Sequence, residues 1–178
     1  DPSTVHDNLV QGNFIGTDIS GSQLLGNGVD GIFVADSIAN TIGGSAGAGS
    51  APGNVIAGNG RNGVSVVQFS ATTGLAILGN SIFSNGALGI DLNSDGVTPN
   101  DPGDADTGPN NLQNYPLINS VAVSSGSATI TGTLNSIATT TFRLEFFSNR
   151  SGDSSGFGEG EPFLGFAIVP RMASGDAP

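Results

Sequence analysis

Short alternations of apolar residues, broken every few positions by Gly and Asn, run along the first half of the chain. Ile32-Phe-Val34, Val64-Ser-Val66 and Ile90-Asp-Leu92 each put two aliphatic side chains on one face of a strand and turn the residue between them outward. Strands this short cannot bury themselves alone. Laid one on the next at roughly 4.8 Å, however, they pair their backbone groups and build a continuous core. Helix is a poor competitor, because Gly costs about 1 kcal/mol per position relative to Ala and no 3.6-residue period is sustained.

The alternations belong to repeats. Asn-x-Ile/Val occurs at Asn8, Asn13, Asn40, Asn54 and Asn80. Asn-Gly-x-x-Gly-Ile/Val-x-Val/Leu begins at Asn27, Asn59 and Asn85. Between the last copies both motifs shift together by 26 residues, Asn54 mapping to Asn80, Asn59 to Asn85 and Gly63 to Gly89. Gly and Asn suit corners because both tolerate positive φ, and stacked Asn side chains can hydrogen-bond in ladders. The spacing predicts about four stacked coils over residues 8–92, with Ile32, Val34, Ile56, Val64, Val66, Ile82, Ile90 and Leu92 inward. Thr17–Gly26 and the Gly/Ala/Ser run Gly43–Gly53 read as insertions at corners, either floppy or on a binding side.

Asn54-Val-Ile-Ala-Gly-Asn59-Gly and Asn80-Ser-Ile-Phe-Ser-Asn85-Gly resemble bacterial secreted proteins with parallel β-helix repeats of the pectate-lyase-like superfamily. Asn13-Phe-Ile-Gly-Thr-Asp18 and Asn40-Thr-Ile-Gly-Gly44 are similar to phrases of the same group. The resemblance covers roughly residues 5–118 and implies an all-β right-handed parallel β-helix, a solenoid, in an extracellular or cell-surface setting. It says little of activity, since such folds carry lyases, hydrolases, adhesins and inert stalks alike.

The character changes after Leu92. Asp91–Asn114 is dense in Asp, Asn, Pro and Gly and ends the regular pattern. Extended stretches follow at Ser120–Val123, Ala128–Leu134, Thr141–Phe147 and Phe163–Val169. They point to an antiparallel β-sandwich-like segment over residues 119–178, appended to repeats over 1–118 and thin enough to be truncated. The loop Ser151–Pro162 resembles the segment that follows the β-helix in the same secreted group. The abrupt ends, Asp1-Pro-Ser and Gly175-Asp-Ala-Pro178, read as those of an excised fragment.

Charge narrows the partners. Arg61, Arg143, Arg150 and Arg171 face 15 acidic residues, for a net charge of -11 with no Lys, which argues against nucleic acid or an anionic membrane. With no Cys there is no disulfide framework, and no apolar run is long enough to span a membrane.

Asp91-Leu-Asn93-Ser-Asp95-Gly96-Val97 matches the opening of a calcium loop, with oxygen ligands on alternate residues, Gly96 at the sharp turn and a carbonyl from Val97. Asp101 arrives one position early for the closing acid, and Asp104 and Asp106 supply further carboxylates. Five Asp within sixteen residues repel one another unless a hard cation such as Ca²⁺ intervenes; the competing reading is a solvated Asx-turn loop. Glu159, Glu161 and Asp153 form a second acidic group, expected to face solvent. Catalytic stock is poor. The single His6 lies at the surface near one end, and Arg61 is the one cation among the repeats. Asp30 and Asp91 share a related register on coils that need not be adjacent, and Arg143 sits in a strand close to Glu145. A non-catalytic structural or adhesive module follows, partnered by neighbouring repeats or other copies, since open solenoid ends favour end-to-end stacking into filaments. The alternative is a Ca²⁺-dependent polysaccharide lyase, a glycoside hydrolase or a carbohydrate-binding module.

Overall fold

A computed structural model describes residues 5–44, 53–69, 72–170 and 176–177; residues 45–52 of the Gly/Ala/Ser insertion and Arg171 lie outside them. The described chain is all-β apart from a single 3-10 turn at Pro109–Leu112. By compactness it divides into two units that interleave along the sequence. One holds residues 1–98, 108–110 and 145–166, the other 99–107, 111–144 and 167–178.

In the first unit the strands are β1 (Leu9–Val10), β2 (Phe14–Ile15), β3 (Ile32–Ala35), β4 (Thr41–Gly43), β5 (Val55–Ala57), β6 (Val64–Val67), β7 (Ala76–Leu78), β8 (Ser81–Phe83) and β9 (Ile90–Leu92). They form three parallel sheets, ordered β1-β4-β7, β2-β5-β8 and β3-β6-β9. Each sheet therefore takes one strand from each of three successive passes of the chain. A fourth, one-residue contact runs parallel through His6, Ile38 and Thr73. The passes number three, where the spacing suggested about four. Register agrees with the repeat: Val55 pairs Ser81, Ile56 pairs Ile82, and Val64 pairs Ile90, all at the 26-residue offset. Between the first two passes the offset is 32 residues at β1–β4, 41 at Asn13–Asn54 and 32 again at β3–β6. The insertion between β4 and β5 in the second pass opens the gap, and Thr17–Gly26 in the first pass closes it.

The core consists of Ile42, Ile56, Val64, Val66, Leu75 and Ile82, with Val10, Ile15, Ile32, Val34, Ile77 and Leu92 packed against it. Two expectations fail. Ile90 is 43% exposed, because β9 is the last strand of its sheet. Ser65 and Asp91, expected to face solvent, are buried. Their row is covered by polar neighbours described below.

In the second unit β10 (Leu117–Ser124) and β11 (Ser127–Asn135) form an antiparallel hairpin with an irregularity between Ile118 and Ser120. Its turn, Ser125-Gly126, has positive φ at both residues (50° and 79°), which matches the twist of the flanking strands. β14 (Asp176–Ala177) extends the sheet on β11, antiparallel, at Leu134 and Asn135. A separate two-stranded sheet, not confined to the second unit, is formed by β12 (Phe142–Phe147) and β13 (Phe163–Val169). These strands fall where the sequence placed extended stretches.

Candidate functional site

Asparagine ladders hold the three passes in register. At each rung the backbone N–H and Nδ2 of one Asn donate to Oδ1 of the Asn one pass further on. Asn8 donates to Asn40, Asn13 to Asn54 to Asn80, and Asn27 to Asn59 to Asn85, at 2.8–3.2 Å. Inner rungs add bonds from Nδ2 to carbonyls of the preceding pass, as from Asn80 to Ile42 and from Asn85 to Ile56. A buried amide is tolerable only when its donors and acceptor are met, and here the repeat meets them.

The third pass is closed by residues that imitate a fourth. The Glu159 carboxylate accepts from the N–H and Nδ2 of Asn85, the bonds a further Asn rung would accept. Gly160 exchanges both backbone hydrogen bonds with Ile82, Glu145 Oε2 accepts from Gly79 N–H, and Asn110 takes Leu75 N–H on its Oδ1 while donating to Leu75 O. Glu159 was expected to face solvent; it is instead an end cap. Nothing in its local sequence signals this, because the partner lies 74 residues away.

Burial pushes the Glu159 carboxyl above its ordinary 4.5, with Asp153 adding to the rise and the Asn85 donors opposing it. The folded state therefore binds the proton more readily, and stability falls as pH rises from the ordinary value through the raised one. Glu159→Gln keeps an oxygen for Asn85 and should abolish that part of the slope, leaving stability at pH 7 equal or higher. Glu159→Ala strands the buried Asn85 donors and should cost about 1–3 kcal/mol. Urea melts of the three proteins between pH 4 and pH 8 check both outcomes.

On the outer side of β6 and β9, Asn62 is the hub. Its N–H donates to Asp30 Oδ1, its Nδ2 to Ser65 Oγ and Asp91 Oδ2, and its Oδ1 accepts from Leu88 N–H. Asp91 Oδ2 also accepts from Gly96 N–H at 3.2 Å, while Oδ1 is enclosed without a partner, as is Ser94 Oγ. Burial raises the Asp91 carboxyl, against the lowering effect of Gly96 and Asn62. Arg61 donates to Ser94 O and lies 4.0 Å from Asp30. Asp30 is thus in register with Asn62 on the neighbouring pass, and Asp91 with Ser65; the two carboxylates are on the first and third passes.

The proposed calcium ligands are divided between the units. Asp91, Asn93, Asp95 and Val97 belong to the first. There Asn93 Nδ2 donates to Asp95 Oδ2 at 2.8 Å, and the turn is closed by positive φ at Asn93, Ser94 and Gly96. Asp101, Asp104 and Asp106 belong to the second, and one oxygen from each lies within 4.8 Å of the others. Asp104 is buried and fully engaged: Oδ1 accepts from Asn114 N–H, and Oδ2 from Gln113 and Ser136. Asp101 Oδ2 accepts from Ala105 N–H. Asp101 Oδ1 and Asp106 Oδ1, by contrast, are enclosed with no hydrogen-bond partner. Burial raises the Asp106 carboxyl, and the charges of Asp101 and Asp104 raise it further. Three carboxylates this close, two of them carrying an unsatisfied oxygen and with no N or S donor among them, suit a hard oxygen-seeking cation. Asn114, Gln113 and Ser136 hold Asp104 in place; the sequence carried no mark of that role.

His6 lies at the surface beside Asp7, with 2.8 Å between Nδ1 and Oδ2. In comparisons with known proteins the chain matches no family model, no curated protein and no solved structure. The structure thus defines a class only: an all-β chain with stacked parallel three-stranded sheets and antiparallel pairing towards the C-terminus.

Proposed function

We propose that the three passes are coils of a right-handed parallel β-helix, and that the chain is a non-catalytic structural or adhesive module of an extracellular bacterial surface protein. One observation carries the reading: the polar side chains of the repeat are consumed in holding coil to coil. Asn62 donates to both Ser65 and Asp91 Oδ2, Arg61 is spent on Ser94 O and Asp30, and the Asn rungs on the next pass. A lyase or hydrolase needs an acid and a base free to meet substrate. Incubation with a panel of plant, algal and bacterial polysaccharides should release neither reducing sugars nor unsaturated uronides. Release that is lost on Arg61→Gln or Asp91→Asn would overturn the proposal.

The cofactor of this module is Ca²⁺, held by Asp101, Asp104 and Asp106, with the enclosed Oδ1 atoms of Asp101 and Asp106 as the motivating feature. Extracellular modules bind calcium with dissociation constants of about 10⁻⁴–10⁻³ M. Binding only the folded state raises stability by about 1.4 kcal/mol at ten times that constant. The ion needs ionised carboxylates, so the stabilisation should grow as pH rises through the carboxylate range and vanish below it. Thermal melts with calcium and with chelator test this, with Asp101→Asn, Asp106→Asn as the control. Identical melts and no heat of binding at millimolar calcium would leave only an Asx-rich turn.

A further inference from the structure

The two ends of the parallel stack differ. The end at β7 and β8 is closed by Asn110, Glu145, Glu159 and Gly160, each supplying the hydrogen bonds that another pass would supply. At the end formed by β1, β2 and β3, Oδ1 of Asn8, Asn13 and Asn27 receives no hydrogen bond from any described residue, and all three rungs are exposed, where Asn54, Asn59 and Asn80 are buried. Val10, Ile15, Ile32 and Val34 are only partly covered, whereas their register partners Ile42, Ile56, Val64 and Val66 are buried.

A glycine marks the same edge independently. A Cβ on Gly60 would lie 2.6 Å from Gly28 O, and one on Gly86 would lie 2.4 Å from Gly60 O, so at this corner each pass crowds the carbonyl of the one before. Gly28 holds the equivalent place in the first pass, yet a Cβ there meets nothing within 4 Å, and its φ is not positive. Neither sterics nor backbone conformation within the described residues calls for glycine at Gly28. A carbonyl from a preceding pass would.

We propose that the β1–β2–β3 edge is a docking edge for one further parallel coil of the same repeat, leading into His6 and carrying Asn at the three matching corners. The ladder polarity specifies the occupant: it must offer a backbone N–H and an Nδ2 together to Oδ1 of Asn8, Asn13 and Asn27, and a backbone carbonyl above Gly28. A second copy of this chain does not fit by its other end, because the cap fills that edge with the acceptors of Glu145 and Glu159. The inference rests on the reading of the passes as coils, and leaves open whether the module is adhesive or purely structural.

The test extends the full chain. Residues 38–72 are duplicated and joined directly before His6, replacing residues 1–5, which preserves the register in which His6, Ile38 and Thr73 are equivalent. The added coil should fold with the rest, raising the melting temperature by at least about 3 °C and protecting the side-chain amides of Asn8, Asn13 and Asn27 from exchange. The same extension with its copies of Asn40, Asn54 and Asn59 changed to Ala should lose most of that rise. An added segment that is cleaved like an unfolded tail and leaves the melting temperature unchanged would overturn the proposal. An equal rise in the Ala-substituted extension would also sink it, since the edge would then not read asparagine. The unextended chain should sediment as a monomer. A dimer abolished by Asn13→Ala would replace the proposed occupant with a second copy.

Discussion

Asn54→Leu should unfold the stack at ambient temperature or leave it marginal, with a loss of about 3–5 kcal/mol. Asn54 is fully buried in the middle of its ladder. Its Oδ1 accepts from the N–H and Nδ2 of Asn13, and its Nδ2 donates to Asn80 Oδ1 and Val10 O. Leu conserves volume but its side chain satisfies none of these. Its backbone N–H still donates to Asn80 Oδ1, while Val10 O and both Asn13 donors lose their Asn54 partner. Each stranded group costs about 1–3 kcal/mol. Asn13→Leu, at the exposed first rung, should cost less than about 1 kcal/mol, because water can replace what is lost. Chemical denaturation followed by far-UV circular dichroism measures both. Equal losses at the two rungs would mean that the ladder is ornamental and that aliphatic packing alone holds the passes.

Gly16→Ala should cost about 3–5 kcal/mol, for two reasons that can be separated. Gly16 has φ +80°, which costs a residue with a Cβ about 1–2 kcal/mol. In addition, that Cβ would stand 2.1 Å from Ala57 O and 2.6 Å from Asn59 Oδ1, so the first and second passes would have to move apart and break the Asn27–Asn59 rung. Gly156 has a similar φ, +79°, with nothing within 4 Å of its Cβ position. Gly156→Ala should therefore show the conformational cost alone, about 1–2 kcal/mol. The difference between the two variants isolates the close approach of one pass to the next. Two equal values would mean that the stack relaxes freely at this corner.

The repeat itself was legible without coordinates. Asn54 and Asn80, Asn59 and Asn85, and Val64 and Ile90 stack one pass apart, as the shared 26-residue offset implies. The C-terminal strands were legible too, because Phe142-x-Leu144-x-Phe146 alternates. Such features depend on near neighbours or on a period, and a period survives translation along the chain. The number of passes was misjudged, since insertions of different length at different corners change the offset without changing the register.

The ends of the stack, its covered polar face and the contacts that enclose the acidic loop lay beyond the sequence. Glu159 closes a ladder begun at Asn27, and only the third dimension brings a residue 74 positions away onto Asn85. Alternation marked Ser65 and Asp91 as outward and therefore solvated. They are outward from the aliphatic core and still buried, because Asn62 bonds both. In the acidic loop, folding ties Asn93 to Asp95 and encloses an unpartnered Oδ1 on Asp101 and on Asp106. The reason is common to all three cases. A linear pattern encodes what repeats or touches along the chain, while a cap, a covered face or an enclosed carboxylate depends on which distant segment arrives there, and only the packed chain determines that.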